Sequence, residues 1–222
     1  TIMSCGKILG DTKVKIVRVQ GAPEEANEME VGEVWLTGTS KCLGYWNQTE
    51  LSEQQFQAIL PHSDEKWLRT GDLGFILNEE IYICGRTKDM IIVRGLNYYP
   101  HDIELLVEQD KNLRKGCSVA FSIEEAGREK VVVVAELKSG KIMALTDEIN
   151  QRIQQYLGIL VDQFVFIPAR TISKTSSGKI MRSQMKQRFL MNDLHIVSSI
   201  ELDEVETNNN EFRDRLFIPE NE

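Results

Sequence analysis

What this 222-residue sequence lacks narrows its chemistry first. The four cysteines (Cys5, Cys42, Cys84 and Cys117) form no CxxC pair, and His62, His101 and His195 stand equally far apart. That spacing argues against a disulfide framework and a metal cage, so the expectation is reduced thiols in a cytoplasmic protein with no metal site. No apolar run approaches the ~20 residues of a membrane-spanning helix. No secretory leader is visible, and the opening TIMSCGKILG reads as the middle of a domain. Beyond one basic segment near the C-terminal end, no stripe of interleaved basic and aromatic residues is present, which argues against nucleic acid as a partner. No repeat period runs along the chain, so a solenoid is excluded.

What charge there is lies unevenly. The formal net charge is −8, yet residues 189–222 hold nine acids against two arginines, a balance of −7. Residues 191–222, with the run ETNNNE, are therefore expected to form a loosely ordered acidic tail. Just before it, Arg170 to Arg188 carries six basic residues and no acid. Such a segment suits a phosphorylated ligand or an acidic partner.

The first part of the chain is rich in short strand patterns. KVKIVRV (Lys13 to Val19) alternates charged and apolar residues, and GEVWLTG (Gly32 to Gly38), LGFIL (Leu73 to Leu77) and EEIYICG (Glu79 to Gly85) follow. The last two pair through a turn at Asn78-Glu79. Ser52 and Gln55 have the spacing of a capping box for a helix reaching about Leu60. After Arg86 the character changes. DMIIVRG is a short apolar strand, and Pro100 opens a helix from His101 to about Gln109. CSVAFSI and KVVVVAEL are continuous apolar runs, which implies strands buried on both faces. A helix over Ile142 to Leu160, the strand QFVFI and a helix over Arg182 to Met191 complete an α+β arrangement. The expected organisation is a small β-rich, distorted barrel-like subdomain over 1–87 and a mobile α+β domain over 88–190, its small sheet flanked by helices.

Three stretches carry chemistry. KTSSGKIMRS (Lys174 to Ser183) contains a Gly-Lys pair, but Ser173 stands where a Walker-type loop needs its leading glycine, and Ile180 follows Lys179 where that loop needs a hydroxyl. The segment reads as a polar loop with Lys179 at its tip. In LRTGDLG (Leu68 to Gly74), Asp72 suits the two hydroxyls of a vicinal diol, or is a turn aspartate held by local amides. GRTKDMIIVRG (Gly85 to Gly95) places Arg86, Lys88 and Asp89 at the boundary of the two parts, as a solvated linker or as a hinge.

Together with GEVWLTGTSKCLGYW, these motifs occur in the order and spacing of the adenylate-forming superfamily of acyl-CoA synthetases, luciferases and adenylation domains. GRTKDMIIVRGLNYYPHDIE is most similar to the fatty acyl-AMP ligases. The resemblance runs from about Ser4 to Arg188, and implies that the chain is the C-terminal third of an enzyme that converts a fatty acid and ATP to acyl-AMP. The acyl group would then pass to the phosphopantetheine of an acyl carrier protein. By the same resemblance, Asp72 binds the ribose hydroxyls, Arg86 contacts the nucleotide and Lys88 is the hinge. Gly95 lies in the loop lining the path of the acceptor thiol, and Lys179 bridges the substrate carboxylate and the α-phosphate across a cleft.

The pattern also has gaps. The loop that holds the β- and γ-phosphates, the acyl tunnel and the Mg2+ ligands are expected outside this sequence, which implies that the chain alone is inactive. Ser173 replaces a proline common in relatives, which implies a looser loop. Two other readings stay open: an acyl-CoA synthetase differing only in its final acceptor, and a non-catalytic acyl- or partner-binding relative.

Overall fold

The computed structural model describes residues 2–138 and 145–201. The chain divides into two compact units, Thr1–Met90 and Ile91–Glu222. In sequence order unit 1 contains β1 (Ser4–Lys7), β2 (Lys13–Val17), β3 (Gly32–Thr37), α1 (Thr49–Phe56), β4 (Ala58–Ile59), β5 (Lys66–Leu77) and β6 (Glu80–Arg86). The main strands form one antiparallel sheet in the order β1-β6-β5-β3-β2, and β4 pairs with β5. Val17, Trp35, Leu60 and Trp67 make its core. The β5–β6 hairpin turns at Asn78 and Glu79, both with positive φ, the geometry whose twist matches paired strands.

Two expectations for unit 1 change. Ser52 is not a cap, because the helix starts earlier, at Thr49, and Ser52 is buried inside it. Its hydroxyl donates to the Gln48 carbonyl at 2.6 Å and accepts the Tyr45 amide at 2.8 Å. The helix also stops at Phe56, and β4 takes the place of its expected last turn.

Unit 2 begins with the hairpin β7 (Ile91–Val93) and β8 (Leu96–Tyr98), followed by α2 (Pro100–Val107). Its main sheet contains β9 (Leu113–Glu125), β10 (Arg128–Leu137), β11 (Gln163–Ile167) and β12 (Ser198–Glu201), in the order β12-β11-β10-β9. Helix α3 (Leu145–Leu157) connects β10 to β11, which run parallel, and α4 (Arg182–Leu190) precedes β12. The valine run explains the layering, since alternate side chains of a strand face opposite ways. Val131 and Val133 join the cluster of Ile103 and Val107 from α2 and Ile149 and Ile153 from α3. Val132 and Val134 join the opposite cluster around Met185 of α4. Burial on both faces follows, as the apolar runs imply. Each of these side chains contributes roughly 1.5–3 kcal/mol by leaving water.

Strand β12 lies within the stretch expected to be a tail, where it pairs with β11 from Gln163↔Glu201 to Phe166↔Ser198. Residues 202–222, and the start of the third helix expected at 142–144, lie outside the described residues. No helix among the described residues is long and apolar enough to cross a membrane.

Candidate functional site

Asp72 sits on a distortion of β5. Glu33 pairs with Leu73 and Trp35 with Arg69, so Val34 alone faces Thr70, Gly71 and Asp72. Gly71 has φ +73°, a conformation in which a side chain is strained, and it lets the extra residues bulge. Bulges re-aim side chains near functional sites. Here the bulge is fixed from below by two residues. The Thr70 hydroxyl donates to the Val34 carbonyl at 2.7 Å and accepts the Asp72 amide at 3.0 Å. Glu33, only 6% exposed, accepts from the Gly71 amide at 3.2 Å, the Trp35 indole at 3.0 Å and the Arg69 guanidinium at 2.8 Å.

Arg86, at the end of β6, is the cross-strand partner of Asp72. Its Nε donates to Asp72 Oδ1 at 3.0 Å. Lys88 follows in a single 3-10 turn, Thr87–Asp89, closed by the Met90 amide donating to the Thr87 carbonyl. The structure thus brings Asp72 and Arg86 together within unit 1, with Lys88 two residues further on.

In unit 2, Gly95 (φ +77°) and Arg94 (φ +50°) form the tight turn between β7 and β8. Lys179 stands on a separate small hairpin. Lys174 and Ile180 pair antiparallel, the Thr175 amide donates to the Lys179 carbonyl at 2.8 Å, and the Gly178 amide donates to the Thr175 carbonyl at 2.9 Å. The Thr175 hydroxyl accepts the Lys179 amide at 3.1 Å. Gly178, at φ +83°, makes the turn possible, and Lys179 is exposed. Ser173 itself is tied to the start of α4. Its carbonyl accepts the Met181 amide at 2.9 Å, and its own amide, which proline would lack, donates to Met185 Sδ at 3.3 Å.

Buried carboxylates surround this hairpin, and sequence reasoning missed them. Glu136, 1% exposed, accepts the Thr171 and Ile172 amides at 2.7 and 2.8 Å and the Arg114 guanidinium at 2.8 Å. Burial pushes its carboxyl up, but those amides and Arg114 outweigh that and hold it below its usual 4.5. Glu104 takes both oxygens to Arg182, at 2.7 and 3.0 Å, and accepts the Ala120 amide at 2.9 Å. Burial raises the Glu104 carboxyl above 4.5, opposed by Arg182 and by that amide. The two kinds of ion pair differ in weight. An exposed pair such as Lys7–Glu79 is screened by solvent and adds little, whereas removing one partner of a buried pair costs ~3–5 kcal/mol.

The geometry offers a carboxylate and a guanidinium held side by side in one unit and an exposed ammonium on a braced hairpin in the other. A family model described as "Disco-interacting protein 2-like, AMP domain" matches residues 88–199, half of the chain. The chain is 39% identical over 196 residues to a medium-chain-fatty-acid–acyl-carrier-protein ligase of Moorena producens, covering 85% of this chain and 33% of that protein. It is 37% identical over 173 residues to a putative fatty-acid–CoA ligase of Mycobacterium tuberculosis, covering 72% of this chain and 29% of that protein. Among solved structures, one from a study of fatty acyl-adenylate ligases of E. coli and L. pneumophila superposes with a TM-score of 0.69 at 30% identity, covering 86% of this chain and 33% of that one. The chain therefore spans about a third of the length of the curated relatives it matches.

Proposed function

The chain belongs to the Disco-interacting protein 2-like AMP-domain family, among the adenylate-forming fatty acyl-AMP and acyl-CoA ligases, and on that premise we propose that it serves a two-step acyl activation. In the first step a fatty acid carboxylate attacks the α-phosphorus of ATP, giving acyl-AMP and pyrophosphate. In the second, the phosphopantetheine thiolate of an acyl carrier protein attacks the acyl carbon and releases AMP. No general base is required for the first step, since the nucleophile is already a carboxylate.

The observation that carries this reading is the braced hairpin that presents Lys179 as an exposed ammonium. Attack of one anion on another concentrates negative charge on the non-bridging oxygens, and a fixed cation there stabilises the transition state. Asp72 takes the two ribose hydroxyls, and Arg86 orients that carboxylate and contacts the nucleotide. Lys88 is the pivot between the two steps, and the Gly95 turn lines the path of the incoming thiol. Magnesium would arrive with ATP and neutralise phosphate charge. Among the described residues no three His, Cys, Asp or Glu side chains gather to hold a metal, so no step is assigned to it on this chain. A cytoplasmic setting, where ATP and reduced thiols coexist, suits this chemistry, and Cys84 and Cys117 are both buried.

The test is fatty-acid-dependent ATP–pyrophosphate exchange by a complete ligase carrying this segment, followed by acyl transfer to a holo-carrier protein or to coenzyme A. Exchange followed by transfer to the carrier supports the reading. Exchange with transfer to coenzyme A alone moves the protein to the acyl-CoA synthetases, a reading supported by the name of the Mycobacterium relative. Absence of exchange with every fatty acid supplied overturns both in favour of a binding module.

A further inference from the structure

Helix α4, which follows the Lys179 hairpin, does not set its own start. Its N-cap residue Met181 makes no side-chain cap, its first turn carries no acid, and Arg182 stands where the helix dipole disfavours a cation. That start is fixed from elsewhere. Glu104 of α2 takes the Arg182 guanidinium with both oxygens, and Arg182 Nε donates to the Ala120 carbonyl at 3.1 Å. Because Arg182 lies three residues after Lys179, this pair fixes the outgoing foot of the hairpin.

The incoming foot is held by the same helix. Lys174 Nζ donates to the Gly116 carbonyl at 2.6 Å. Glu108, directly after the last residue of α2, holds that stretch of β9 by accepting the amides of Gly116, Cys117 and Ser118 at 2.7, 3.0 and 3.1 Å, and the Ser118 hydroxyl at 2.6 Å. Glu104 and Glu108 are four residues apart, the spacing that puts two side chains on one helical face.

We propose that Glu104 and Glu108 are positioning residues for Lys179, each fixing one foot of its hairpin, so that α2 sets where the ammonium stands. The proposal rests on the reading of Lys179 as the adenylating lysine.

The experiment uses a complete ligase carrying this segment, with Glu104→Gln and Glu108→Gln each made alone and together with Lys179→Ala. Adenylation kcat, the KM for ATP, transfer from supplied acyl-AMP and thermal stability are measured for each. Misplacement of a reacting group by about 1 Å costs on the order of 10²-fold. Glu104→Gln should therefore lower adenylation kcat by about 10- to 100-fold and Glu108→Gln by about 10-fold, with KM for ATP and transfer nearly unchanged. Both losses should vanish in the Lys179→Ala background, an outcome that a general loss of stability would not give. Full adenylation by both single variants, or losses that persist beside Lys179→Ala, overturns the proposal. Should Glu104→Gln fail to fold, Glu108→Gln decides by the same criteria. Intact adenylation by Lys179→Ala alone would instead sink the functional reading beneath it.

Discussion

Asp72 and Arg86 face each other across β5 and β6, with the guanidinium Nε 3.0 Å from the carboxylate Oδ1. Their side chains are 35% and 58% exposed, so the pair adds only ~0–1 kcal/mol to folding. Its worth lies in orienting a carboxylate. Asp72→Asn in a complete ligase should shift stability by less than about 1 kcal/mol. The KM for ATP should rise about 10-fold or more, because the charge-assisted hydrogen bonds to the ribose proposed for Asp72 would be lost. Nucleotide titration beside thermal unfolding checks this, and an unchanged KM would return Asp72 to the role of a turn residue.

Lys179 makes a sharper claim, because it should matter in one half-reaction only. Lys179→Ala should slow acyl-adenylate formation by about 10²–10³, while transfer from supplied acyl-AMP changes far less. Single-turnover measurement of each step separates the two. Equal losses in both would mean that the lysine is structural.

How far the sequence reveals this follows from how far each signal is local. The valine run, the Asn78-Glu79 turn and Pro100 announce themselves within a few residues, and the structure has a matching element at each, whereas the loop read around Lys179 is a small hairpin with the lysine on its returning arm. Strand β12 and the pairing of β10 with β11 depend on partners distant in sequence, and nothing local marks them. The buried carboxylates escape for another reason. Glu33, Glu104 and Glu136 sit in ordinary strand or helix patterns, where an acid reads as solvent-facing. Only Glu33 leaves a trace, because it shares a strand face with Trp35, two residues on, and a carboxylate beside a buried indole needs partners. Ser52 misled in the opposite direction, its capping pattern overridden by bonds to Gln48 and Tyr45.

Glu136 should contribute to the acid sensitivity of unit 2, with Glu104, whose carboxyl is raised, acting in the opposite sense. The Glu136 carboxyl is held below its ordinary 4.5, so the stability it contributes is present above that value. It is lost as pH falls from 4.5 through the lower folded-state value. Glu136→Gln should cost about 2–3 kcal/mol at pH 7, where the amides of Thr171 and Ile172 and the Arg114 guanidinium lose their anion. The gap between the two proteins should close as the pH drops below 4.5. Denaturant unfolding from pH 7 to pH 3 checks it, and a gap of constant size would assign the acid sensitivity to other groups.

Lys88 allows the proposed hinge to be tested by locking it. The Met90 amide donates to the Thr87 carbonyl, so Lys88 is the second residue of a four-residue turn, the position at which proline is favoured. In Lys88→Pro the ring restricts φ to near −65° there, which locks the turn at that residue. Rotation about few residues is how an enzyme with one cleft would withdraw Lys179 and admit a thiol, so a locked turn should trap one orientation. In a complete ligase, one half-reaction should survive within a few-fold while the other collapses by about 10²-fold. Running adenylation and transfer separately on the variant reveals which orientation the turn belongs to. Both steps at full rate would place the pivot elsewhere, and the loss of both together with a lowered melting temperature would show that proline breaks the junction instead of holding it.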